Sequence, residues 1–74
     1  QTEDIRWIMK CGRMETLSPE LRELAQLRLE NPELSLKELG ELLSVPLGRS
    51  GVNHRFQKIA AIAEELRSHA VHSE

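Results

Sequence analysis

Ser50, Asn53, His54 and Gln57 fall three and four positions apart, a spacing that gathers them on one side of a helix. Side-chain amides can hold an adenine edge through two hydrogen bonds, and hydroxyl and imidazole groups can donate or accept one. Arg49 and Lys58 stand at the flanks of this row, where a cation suits a phosphate, and Lys37 stands further back in the chain. The segment around them is free of carboxylates. No Asp or Glu occurs from Leu42 to Ala63, although the whole chain carries 12 acids against 10 Lys and Arg, a formal net charge of −2. Double-stranded DNA presents about one negative charge per 1.7 Å of axis, so a carboxylate on a surface docking there would be repelled. A polar helix face alone is usually just solvated. The acid-free run and the elements around it are what point to nucleic acid. Arg55 lies nearer the apolar side of the same helix, and a phosphate contact and a structural role both remain open for it.

Other chemistry has little support. Cys11 and His54 are residue types that could form a nucleophile and base, but nothing in the sequence places them together. His69 and His72 are three apart, yet no Cys or acid completes a zinc set with them. There is no glycine-rich phosphate loop. The expectation is a non-enzyme without metal or cofactor. Trp7 and Phe56 are the sole aromatic residues, too few for the stacking platforms of a single-strand binder.

The elements that must position the row read clearly. "SLKE" at Ser35–Glu38 is a capping box that opens a helix. Leu36, Leu39, Leu42 and Leu43 give it an apolar stripe, and Gly40 in its middle implies a close crossing by another helix. Ser44–Leu47 forms a turn in which Pro46 blocks continuation. A longer helix then starts at Gly48 or Arg49 and runs to about Ser68, with Val52, Phe56, Ile59, Ala63 and Leu66 as its buried stripe. Capped helix, turn and second helix with a polar, basic start are the plan of a helix-turn-helix, whose second helix lies in the major groove. Gly40 and Val52 are twelve positions apart, which makes the turn about two residues longer than usual.

Two helices precede this pair. Ser18 caps one with Pro19 at its first position, and Leu21, Leu24 and Ala25 begin its apolar stripe. Arg28 falls on that stripe, where its stem would cover apolar surface and its head reach water. Asn31-Pro32 ends the helix. The first helix spans about Thr2 to Cys11, with Ile5, Ile8 and Met9 facing inward and Gly12 as its stop. Trp7 covers an edge of the core or packs on a part of the protein outside this chain. β-strand signals are absent.

The expected fold is therefore all-α, a small bundle of four helices containing a helix-turn-helix. Residues 1–13 form an N-terminal helix joining a further N-terminal domain, 14–68 the helix-turn-helix domain, and 69–74 a disordered tail. With 74 residues there is room for one domain at most. No apolar run approaches the roughly 18 residues of a membrane span. A single cysteine excludes an internal disulfide and fits a reducing cytosol. The chain starts without Met, which fits a fragment of a longer protein.

The segments "LRELAQLRLENPE", "SLKELGELL" and "GRSGVNHRFQKI" resemble the C-terminal domain of the WhiA family of bacterial regulators, and the likeness covers about residues 5–67. The resemblance implies a helix-turn-helix similar to region 4 of sigma factors, at the DNA-binding end of a cytoplasmic, nucleoid-associated transcription factor. It also implies an N-terminal domain resembling LAGLIDADG homing endonucleases, without known nuclease activity, and a role in sporulation or in cell division and chromosome segregation. Family members commonly carry Ser where this chain has Gly48, itself an acceptable cap. Two readings follow. In the first, the chain is a sequence-specific double-stranded DNA-binding domain. In the second, it is a protein-interaction module that docks on RNA polymerase, a sigma factor or another regulator.

Overall fold

The computed structural model describes the backbone of residues 1–72 and the side chains of residues 1–69. Among these residues there is no strand. The chain forms helix α1 (Thr2–Lys10), a single 3-10 turn (Met14–Thr16), and helices α2 (Pro19–Glu30), α3 (Leu36–Leu42) and α4 (Arg49–His72). It is an all-α bundle, as the residue patterns require.

Each boundary has a local cause. At the end of α1, Gly12 adopts a φ of +70°, which lets its N–H donate to the Met9 carbonyl at 2.9 Å and the Arg13 N–H donate to the Ile8 carbonyl at 3.0 Å. This pair of bonds closes the last turn and satisfies carbonyls that the helix leaves open. At the start of α2, Ser18 Oγ accepts from the Leu21 N–H at 3.3 Å. The capping box of α3 is complete. The Glu38 N–H donates to Ser35 Oγ at 3.1 Å, and the Ser35 N–H donates to Glu38 Oε1 at 2.9 Å. α4 begins without a side-chain cap, its first bond running from the Val52 N–H to the Gly48 carbonyl at 3.1 Å.

The core lies between α4 and the other three helices. α4 contributes Val52, Phe56, Ile59 and Ala63, all buried. Against them pack Ile5 and Ile8 of α1, Leu21, Leu24 and Ala25 of α2, Leu39 of α3, and the loop residues Leu17 and Leu43. Ile5 and Ile8 are fully enclosed. At about 1.5–3 kcal/mol for each such side chain, they make α1 a member of this core. Trp7 takes the first of its two expected places, half-buried at the core edge beneath the Arg67 guanidinium, whose central carbon lies 5.9 Å from the ring centre. Arg67 also pairs with Asp4 at 2.9 Å, so the start of α1 is tied to the far half of α4.

Some expectations need correction. Met9 is 49% exposed, because Ile5 and Ile8 already fill the contact surface of α1. Leu42 is 52% exposed, because the backbone leaves the helix after it and Leu43 takes the inward place. α4 passes Ser68 and continues to His72, so the tail expected over residues 69–74 is helical as far as it is described. The side chain of His72 and residues 73–74 lie outside the described residues.

Arg28 differs most. Only 7% exposed, its head does not reach water. Nη1 faces three carbonyls of the α2–α3 loop, those of Leu34 at 2.7 Å, Pro32 at 3.2 Å and Asn31 at 3.4 Å. The guanidinium carbon also lies 5.5 Å from the centre of the Phe56 ring. One cation thus ties the end of α2 and the following loop to the buried face of α4. Arg28→Lys keeps the charge but loses the planar fork and its stacking. Partly unpaired carbonyls in this setting cost about 1–3 kcal/mol, and a thermal melt of this variant should show that loss. A melt unchanged from that of the unaltered chain would mean the loop carbonyls are satisfied without Arg28.

Gly40 is close to a turn backbone as well as to a helix. A Cβ there would stand 2.1 Å from the Leu47 carbonyl oxygen and 3.0 Å from Val52 Cγ2. The Leu47 N–H donates to the Gly40 carbonyl at 3.1 Å, which holds the turn in that position. Gly40→Ala should destabilise the domain by about 1–3 kcal/mol, despite Ala being the better helix former. At about 4–8 °C per kcal/mol for a domain of this size, calorimetry would resolve the change. A variant at least as stable as the unaltered chain would refute the close approach.

Candidate nucleic-acid interface

The first two turns of α4 carry the expected row. Arg49, Ser50, Asn53, His54, Gln57 and Lys58 are all exposed, while Val52, Phe56 and Ile59 on the other side are buried. Burial of that stripe sets the rotation of α4 about its own axis, and with it the direction in which the polar row faces. Lys37, in the first turn of α3, is exposed as well. The structure therefore gathers Ser50, Asn53, His54 and Gln57 on one solvent-facing side, with Arg49 and Lys58 beside them. No carboxylate of α4 occurs before Glu64.

Arg55 does not join this face. It is half-buried in a groove lined with Pro19, Glu20, Glu23, Ser44 and Val45, where Glu23 is close enough to feel its charge. Cys11 is exposed at the end of α1. Among the described residues no three His, Cys, Asp or Glu side chains gather as metal ligands.

One positioning contact was not visible in the sequence. The Glu23 carboxylate on α2 accepts from both the backbone N–H and the hydroxyl of Ser44, at 3.0 and 2.5 Å. Ser44 stands where the chain has just left α3. The contact therefore fastens the turn, two residues longer than usual, to α2 instead of leaving it loose beneath α4. No local signal could have paired residues 21 positions apart. The extra length projects Val45 outward, 72% exposed.

This layout can be compared with known proteins. A family model described as the WhiA C-terminal HTH domain matches residues 1–63. The chain belongs to the WhiA family. It is 54% identical over 71 residues to the probable cell division protein WhiA of Carboxydothermus hydrogenoformans, covering 96% of this chain and 23% of the relative. It is 54% identical over 68 residues to that of Clostridium beijerinckii, covering 92% and 22%. Against that of Lactococcus lactis subsp. cremoris the identity is 51% over 63 residues, covering 85% and 21%. The chain thus spans less than a quarter of the length of these curated relatives. No solved structure matches it. The WhiA match takes in α1 as well as the helix-turn-helix, in keeping with the place of Ile5 and Ile8 in the core.

In this WhiA domain, two carboxylates act as hydrogen-bond acceptors at the ends of α3, and both titrate below their ordinary value of 4.5. The Glu23 carboxyl is lowered by the Ser44 hydroxyl and then by the Ser44 N–H. The Glu38 carboxyl is lowered by the backbone N–H and then the hydroxyl of Ser35. A depressed carboxylate contributes stability that is fully present above its unfolded value and is lost as pH falls through its folded value. The melting temperature should therefore drop as pH falls below 4.5, and Glu23→Gln should flatten that drop while lowering stability at neutral pH. Identical acid profiles for the variant and the unaltered chain would remove Glu23 from this role.

Proposed function

We propose that the chain is a sequence-specific, double-stranded DNA-binding domain of a bacterial transcription regulator, acting in the cytoplasm at the nucleoid, with α4 in the major groove. The observation that carries this reading is the exposed, acid-free first half of α4, held in a fixed rotation by the buried stripe on its other side. Ser50, Asn53, His54 and Gln57 read base edges. Arg49, Lys58 and, across the groove, Lys37 hold phosphates. Glu64 and Glu65 return on α4 only beyond the part that enters the groove. The relatives are named as probable cell division proteins, and a role in cell division is accordingly proposed for the whole protein, in which this domain supplies the DNA contact. The larger N-terminal part of the LAGLIDADG type is what the resemblance to the family adds to the proposal.

The test is a selection from random duplex DNA at low salt, run beside an Asn53→Ala/Gln57→Ala variant. One motif should be enriched by the unaltered chain and lost by the variant. Each single substitution should relax one base position by about 1–3 kcal/mol. Lys58→Ala should instead weaken all sequences alike and reduce the salt slope by about 1. Failure of the unaltered chain to enrich any motif would reject base readout.

A second reading is favoured by one specific observation. Leu42 and Val45 leave an apolar spot at the turn, 52% and 72% exposed. In that reading the domain docks on RNA polymerase or a sigma factor. Leu42→Ser/Val45→Ser would then abolish capture of polymerase and leave the selected DNA motif unchanged.

A further inference from the structure

Arg22, Arg28, Arg55 and Arg67 are the arginines that the fold covers wholly or in part. Three of them have acceptors. Arg22 donates to the Leu17 carbonyl at 3.2 Å, Arg28 to the loop carbonyls, and Arg67 pairs with Asp4 at 2.9 Å. Arg55 is different. Among the described residues, no oxygen accepts a hydrogen bond from its guanidinium and no carboxylate lies within ion-pair distance of it. Glu23 is taken up by Ser44, and the charge of Arg55 is the least of the influences on its carboxyl. A guanidinium carries five N–H donors in a planar fork that matches the oxygens of a phosphate. Half-buried and without an acceptor, Arg55 is suited to an anion that the chain itself does not supply.

Lys58 stands beside it. The two cations are three positions apart on α4, which makes them neighbours on the helix surface, and they line one depression with Ser18, Glu20 and Leu21. Lys58 also has no carboxylate within ion-pair distance. The Ser18 hydroxyl accepts from the Leu21 N–H and keeps its own hydrogen to donate.

The depression adjoins the row of Ser50, Asn53, His54 and Gln57, because Lys58 follows His54 by four positions on the same helix. The burial that sets the rotation of the row therefore sets this pair as well. At about 100° per residue, Arg55 and Lys58 lie to one side of the row and Arg49 to the other, toward the two backbones that border a groove. Glu20 is the opposing charge in the depression. It is exposed and paired with neither cation, so its carboxylate is free to turn to water.

We propose that Arg55 and Lys58 together hold one phosphate of the DNA backbone in this depression, beside the start of α2. The inference rests on the major-groove reading of α4 and adds Arg55 and Ser18 to the binding surface. It explains why a half-buried guanidinium is left without an acceptor. Such a contact fixes the register of the domain on the duplex and adds salt dependence without choosing sequence.

The experiment titrates the 74-residue chain and its Arg55→Gln, Lys58→Ala and double variants with a mixed-sequence duplex of about 20 base pairs across a salt series, because backbone binding needs no particular site. One lost phosphate contact lowers the slope of log affinity against log salt by about 0.9. Arg55→Gln should show that loss, as Lys58→Ala does, and the double variant should lose no more than either alone, since both cations serve one phosphate. Glu20→Gln should tighten binding more than Glu30→Gln, the same charge change at the far end of α2. Both glutamates are exposed, so this comparison stands even where Arg55→Gln fails to fold. Circular dichroism and a melt of each variant establish its fold.

An unchanged slope in folded Arg55→Gln would overturn the inference and leave the base-reading role of α4 standing. The same slope with a lower melting temperature would assign Arg55 to the fold alone. A double variant that loses about 1.8 would give the cations separate phosphates and overturn the shared site. Equal binding by Glu20→Gln and Glu30→Gln would place the phosphate outside this depression. No DNA binding by the unaltered chain at low salt would reject the inference and the DNA-binding reading together.

Discussion

The approach of the turn to α3 at Gly40 governs the arrangement of the helix-turn-helix. The Leu47 carbonyl oxygen occupies space that any Cβ at position 40 would claim, and the Leu47 N–H is bonded to the Gly40 carbonyl. With Leu47 held there, α4 can begin only two residues later, and Val52 lands against the same glycine. The start point of α4 is thus set by backbone contact, and its rotation by the burial of Val52, Phe56, Ile59 and Ala63. A polar side chain in the first turns of α4 inherits its direction from both. This is how a domain with few aromatic residues can present a precise surface: rigidity comes from a close backbone approach and one continuous apolar stripe.

Charge is distributed by a second rule. Cations that serve the fold are enclosed or matched: Arg28 by loop carbonyls and the Phe56 ring, Arg22 by the Leu17 carbonyl, Arg67 by Asp4 and Trp7. Arg55 is turned into the α2 groove where Glu20 and Glu23 stand. The other acids lie outside the stretch from Leu42 to Ala63, so a formal net charge of −2 coexists with an exposed, acid-free first half of α4. Net charge by itself is a poor guide to the partner of a small domain, because the local field decides docking.

α1 and α2 are more than a platform. Through Arg28, α2 holds the loop that leads into α3, and through Glu23 it holds the turn that follows α3. α3 has only seven helical residues, too few to be stable alone, and these two ties and its capping box give it a fixed place. α1 closes the far side of the core and is joined to α4 by an ion pair and an arginine–indole contact. The family match beginning at residue 1 agrees with a unit that includes this helix.

What was legible in the sequence was local. Ser18 with Pro19, Ser35 with Glu38, and Gly12 act on neighbours within one turn, so residue types at short spacing were enough to define those ends. The stripe of α4 and the outward row of Ser50, Asn53, His54 and Gln57 were legible for a similar reason, since helical periodicity relates them whatever the helix packs against. The segments "LRELAQLRLENPE", "SLKELGELL" and "GRSGVNHRFQKI" add the family resemblance. Tertiary structure decided what depends on distance in space. Met9 and Leu42 satisfy the apolar period of their helices yet lie exposed, because the contact surface is finite and nearer residues fill it. Arg28 was expected to reach water and instead turns to loop carbonyls that only the folded chain brings beside it. The Glu23–Ser44 contact joins residues 21 positions apart. Periodicity tells which way a side chain points from its own helix; only packing supplies what it meets there.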